Sequence, residues 1–179
     1  MALDPIKHTL TNLLTGYGYN LYEGKNRARA DDLLVREKAA EMLSDGQNAL
    51  RDLRTSFQKR FIPPLTRENP SPPAERMAQL REIATLGQRV EDLATRIRSM
   101  SVPTQDRVWE RFRGERATLL QLLQQDYNLI SPCKELRDAI LALTPGDWND
   151  SASNDLQSLA DRIEHAIRDR AEFLRVPGW

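Results

Sequence analysis

Ile83, Leu86, Val90, Leu93, Ile97 and Met100 recur at alternating steps of three and four residues. That spacing lines six apolar side chains along one stripe of an α-helix. The predicted segment covers about 28 residues, roughly 42 Å of helix. Ser71 is its expected N-cap, Pro72 and Pro73 suit its first turn, and Pro103 stops it. Asp92 and Arg96 are spaced to pair on its outer face.

The same repeat recurs in three other long segments. Residues 104–130 carry Trp109, Phe112, Leu119, Leu123 and Ile130, with Arg116 and Asp126 on core positions that interrupt the stripe. Residues 151–174 carry Leu156, Leu159, Ile163, Ala166 and Phe173. Residues 26–61 carry a stripe richer in small side chains: Val35, Ala39, Met42, Gly46, Ala49, Leu53 and Phe57. Two shorter helices are expected over 4–14 and 132–143.

Glycine and proline divide these segments at Gly16-Tyr17-Gly18, Ser101-Val102-Pro103, Ser131-Pro132 and Pro145-Gly146. Between Pro63 and Pro73 five prolines make the one longer connection extended and semi-rigid. No segment alternates with the two-residue period of a strand. The expected fold is all-α: an antiparallel bundle of four long amphipathic helices with two short accessory helices. It forms one domain over 1–179, with a short helix and a Tyr/Gly loop over 1–25, the bundle over 26–174 and a tail over 175–179.

Composition narrows the functional classes. Apolar residues make up 40% and charged ones 29%, a globular balance. The 26 basic and 26 acidic side chains cancel, which disfavours nucleic acid as a partner. Residues 1–124 hold 20 basic against 16 acidic side chains and residues 125–179 hold 6 against 10, too weak an asymmetry to name a partner. Cys133 is the only cysteine, so no internal disulfide forms. No basic and apolar leader stands at the N-terminus, and no apolar run approaches the ~20 residues of a membrane span. A cytoplasmic protein without a membrane anchor is expected.

Candidate chemistry is sparse. The di-iron carboxylate bundles need Glu-x-x-His on two helices, and that motif does not occur. Of the two histidines, His8 lies in the short first helix and His165 falls off the Leu156–Ile163–Ala166 stripe, so no metal and no cofactor is expected. Cys133 follows Ser131-Pro132; at the start of a helix, beside Lys134, it would be a candidate reactive thiol. Three of the four tyrosines, Tyr17, Tyr19 and Tyr22, lie in a glycine-rich loop that leads to Arg27 and Arg29. These five residues and Arg116 are the candidate binding residues, the tyrosines either gripping a partner or docking on the bundle's own end. No nucleophile with a base and oxyanion donors stands out, and no catalytic residue is assigned.

The expectation is therefore a non-enzymatic protein–protein interaction or scaffold protein. A small-ligand or cofactor-binding bundle with a sensory, carrier or catalytic role is the alternative, and a nucleic-acid-associated protein comes third. Leu120 and Leu122, added to the small-residue stripe, suggest a surplus apolar face and hence a homodimer.

Overall fold

The computed structural model describes residues 3–14, 18–22, 28–64, 66–67, 71–101, 109–110 and 116–175, with Leu3, Asp4 and Arg116 described by backbone alone. It is all-helical, and no strand occurs among the described residues. The helices are α1 (Leu3–Leu14), α2 (Ala28–Phe61), α3 (Ala74–Arg98), α4 (Arg116–Ala142) and α5 (Asp150–Leu174). Trp109 and Glu110 are also helical.

The predicted stripes form the core. Ile83, Leu86, Val90, Leu93 and Ile97 of α3 are all buried and meet Val35, Ala39, Met42, Leu53 and Phe57 of α2. Leu123 and Ile130 of α4 join Leu156, Ile163 and Ala166 of α5. Each Val, Leu, Ile, Met or Phe among them contributes about 1.5–3 kcal/mol by leaving water. That burial, more than local propensity, holds the long helices.

The four long helices close a ring in which α2 touches α3 and α4, and α5 touches α3 and α4. Cross-links set their directions. Arg98 reaches Ser44 and Gln47 reaches Glu91, so α2 and α3 run antiparallel. Arg162 meets Glu135 and Arg170 meets Asp126, so α4 and α5 do too. Across the other two seams the order of contacts runs the same way along both chains. Arg89 bonds Gln157 while Arg96 bonds Glu164, and Asp32 lies near Asp126 as Gly46 lies near Ile140. Thus α3 runs parallel to α5, and α2 parallel to α4. The expected antiparallel bundle describes successive helices only; the neighbours brought together across the ring are parallel.

Four further expectations change. The helix expected over 132–143 is not separate, because α4 runs through Pro132. A proline there removes one backbone bond, to the Asn128 carbonyl. Burial of Ile130, Cys133, Leu136 and Ile140 along one continuous face outweighs that loss. The described helices therefore number five, not six. At the start of α3 the N-cap is Pro73, with no side-chain bond, instead of Ser71. Arg96 leaves Asp92 for Glu164 of α5, at 2.8 Å, since a bond between helices uses the same donor to join the bundle. Leu122, expected on a surplus apolar face, is buried in the core.

No described helix is long and apolar enough to cross a membrane.

Candidate functional site

At the end of the bundle where α2 begins, charged side chains replace the apolar layers. Asp31, Asp32 and Arg36 of α2, Asp126 of α4 and Arg170 of α5 are all buried. Asp32, Asp126 and Arg170 each occupy a stripe position. Asp32 precedes Val35 by three residues, Asp126 follows Leu123 by three, and Arg170 lies between Ala166 and Phe173. The helical repeat that aims leucines inward elsewhere therefore aims these charges at one another.

Arg170 is the hub. Its Nη2 donates to Asp126 Oδ1 and to Asp32 Oδ1, both at 2.8 Å, and its Nε donates to Asp126 Oδ1 at 3.1 Å. Arg36 Nε lies 3.2 Å from Asp32 Oδ2, within ion-pair reach but off the line of a hydrogen bond. Arg36 Nη1 donates to the carbonyl of Met100, which ties α2 to the end of α3. Three buried atoms of this layer thus lack a hydrogen-bond partner among the described residues: Asp32 Oδ2, Arg36 Nε and Arg170 Nη1.

Residues 18–22 close over this layer. Tyr22 donates its hydroxyl to Asp126 Oδ2 at 2.7 Å, and Tyr19 donates to the same oxygen at 3.2 Å. The backbone N–H groups of Asn20 and Tyr22 donate to the two oxygens of Asp31, at 3.1 and 2.8 Å. The Tyr22 ring stacks on Trp109, centroids 6.0 Å apart and planes within 8°, and meets the edge of Tyr19 at 6.1 Å. Gly18, Leu21 and Tyr22 adopt positive φ angles of 81°, 50° and 62°. For Leu21 and Tyr22 that left-handed backbone costs about 1–2 kcal/mol each, which the contacts of the segment offset.

The electrostatics follow from burial. Desolvation pushes the Asp126 carboxyl above its ordinary value, while Arg170 and the Tyr22 hydroxyl pull it back. Burial and the neighbouring Asp126 charge push both tyrosine hydroxyls well up, so they remain donors. With four donors on two oxygens, the Asp126 carboxylate has its acceptor capacity filled.

The sequence-derived candidates fare unequally. Tyr19 and Tyr22 are brought together, half-buried and buried respectively, with hydroxyls turned inward. Arg29 is exposed on α2. Tyr17, Arg27 and the side chain of Arg116 lie outside the described residues; Arg116 is the first residue of α4. Cys133 lies within α4, not at a helix start, and its fully buried thiol is pushed far up by desolvation. The helix-start argument for a reactive thiolate therefore has no basis there. Sequence reading noticed Asp126 as an interruption but missed Asp31, Asp32, Arg36 and Arg170. The available signal was an arginine on the α5 stripe between Ala166 and Phe173.

Elsewhere, α4 and α5 flank an open groove of about 510 Å³ lined by Tyr127, Ser131, Glu135, Asp161, His165 and Asp169, among others. Two of its acids are already paired, Glu135 with Arg162 and Asp161 with Arg89. No group of three or more metal-ligating side chains occurs among the described residues. No protein-family model, no curated protein and no solved structure matches the chain.

Proposed function

We propose that the chain is a non-enzymatic interaction or scaffold protein, acting through its folded surface on another protein or on a second copy of itself. The observation that carries this reading is that the central carboxylate of its buried charged layer is occupied by the protein's own side chains. Asp126, the carboxylate at its centre, accepts four bonds from Tyr19, Tyr22 and Arg170. A general base or a ligand-binding carboxylate needs a lone pair open to substrate, and those of Asp126 are met by Tyr19, Tyr22 and Arg170. Such a layer suits holding four helices in one register, a role attested for buried polar groups.

The second reading, a small-ligand-binding bundle, is favoured by the α4–α5 groove, where exposed His165 and Asp169 stand beside Tyr127. Affinity capture from the native cell with mass spectrometry, joined to light scattering of the purified chain, separates the two. A stoichiometric protein partner, or a mass of twice the 20.5 kDa of one chain, supports the interaction reading. A 20.5 kDa monomer without a protein partner, whose His165 resonances shift with a co-purifying small molecule, overturns it in favour of the second.

A further inference from the structure

We propose that residues 18–22 form a strap that opens as a unit while the four long helices stay packed. This goes beyond the interaction reading and does not depend on it.

The strap is attached to the bundle through side chains. No backbone-to-backbone bond joins it to another described residue. Its hydrogen bonds to the bundle run through two side chains, Asp31 for the amides of Asn20 and Tyr22, and Asp126 for the hydroxyls of Tyr19 and Tyr22. The ring of α2, α3, α5 and α4 is closed by contacts in which the strap takes no part. Opening therefore leaves the apolar layers from Leu43 to Phe57 and from Leu86 to Ile97 undisturbed.

What opening exposes is also the part of the interior that gains most from water. Buried charges are costly when dry, and three polar atoms of this layer, Arg170 Nη1, Asp32 Oδ2 and Arg36 Nε, have no hydrogen-bond partner. Water entering under the strap hydrates all three and offsets part of the lost Tyr22 burial. The left-handed backbone at Leu21 and Tyr22 relaxes at the same time. Both effects lower the free energy of opening at this end relative to an end sealed over leucines, the pattern expected of a local unfolding unit.

Native-state hydrogen exchange followed by NMR tests this on the full chain. The amides of Asn20 and Tyr22 should exchange at least about 100-fold faster than those of Leu43, Leu86 and Ile163, with little dependence on added denaturant. Tyr22→Phe, which removes the hydroxyl bonded to Asp126, should speed the strap amides by a further factor of about ten and leave the α3 amides unchanged. Tyr19→Phe, at the half-buried end, should act in the same direction more weakly and serves if Tyr22→Phe does not fold. Strap amides that exchange at the core rate with the same denaturant dependence would overturn the proposal. So would a tyrosine substitution that speeds strap and core alike.

Discussion

Helices α3 and α5 are each 25 residues long and carry the same stripe of alternating three- and four-residue steps. On α3 the buried stripe positions from Ile83 to Ile97 are all apolar. On α5 the stripe runs through Leu156, Ile163 and Ala166 and then puts Arg170 in the interior, with no exposed surface. The interior side of α3 docks by non-directional burial, its directional bonds lying at the rim. Helix α5 brings a guanidinium that must find carboxylates, and Asp32 and Asp126 must come from two different helices to supply them. The apolar end of the bundle is held by area, and the charged end by pairing.

The largest effect should come from breaking the pairing on one side only. Arg170→Met leaves Asp32 and Asp126 buried without their shared cation and should cost about 3–5 kcal/mol in urea unfolding. Replacing Asp32 and Asp126 by Leu in the same chain removes both carboxylates but leaves Arg36 and the Tyr22 hydroxyl without their partners, and should recover part of that loss. A triple variant as unstable as the single one would mean that pairing is not what the charged end requires.

Leu86→Ala tests the other end. Its cost should be about 2–5 kcal/mol, from lost burial and the cavity left behind. It should be the same at low and high salt, because no charge is involved.

The two kinds of charged contact differ in the sign of their pH dependence. Buried Asp126, among Asp31, Asp32, Arg36, Arg170, Tyr19 and Tyr22, titrates above its ordinary 3.8 in the folded chain. Its contribution to stability is present in full below that value and is lost as pH rises through the raised one. Glu164, on the surface between α3 and α5, is held below its ordinary 4.5 by its bonds to Arg96 and Arg89. Its contribution is present above 4.5 and is lost as pH falls through the lowered value. Thermal melts from about pH 3 to pH 7 should show Asp126→Asn removing the first slope and Glu164→Gln the second. Slopes of the same sign would contradict the assignment.

The smallest expected effects concern two helical glycines. A Cβ at Gly87 of α3 meets nothing within 4 Å, so Gly87→Ala should stabilise by about 1 kcal/mol in thermal melts. At Gly46 of α2 a Cβ lies 3.3 Å from Ile140 Cδ1, so Gly46→Ala should gain less, because α4 is already close there.

The all-helical fold was legible in particular residues. The spacing from Ile83 to Ile97 and from Leu156 to Ala166 implies helices, because no other backbone aligns side chains three and four apart. The charged site was legible only in part. Asp126 stood out against its own stripe, but nothing local distinguishes Asp32 or Arg36 from the charged residues that cover any exposed helix start. Tyr22 in a glycine-rich loop was compatible with an exposed ring and with a buried one.

The chain by itself determined where helices form, which faces are apolar and that no disulfide is available, since periodicity and composition act within a few residues. The tertiary structure decided that α4 continues through Pro132 and that α2 lies parallel to α4. It also decided that Asp32, Asp126 and Arg170, up to 138 residues apart, share one layer under Tyr22. A charge is stable in an interior only when its counter-charge arrives with it, and the helix packing that delivers the counter-charge is a property of the whole fold.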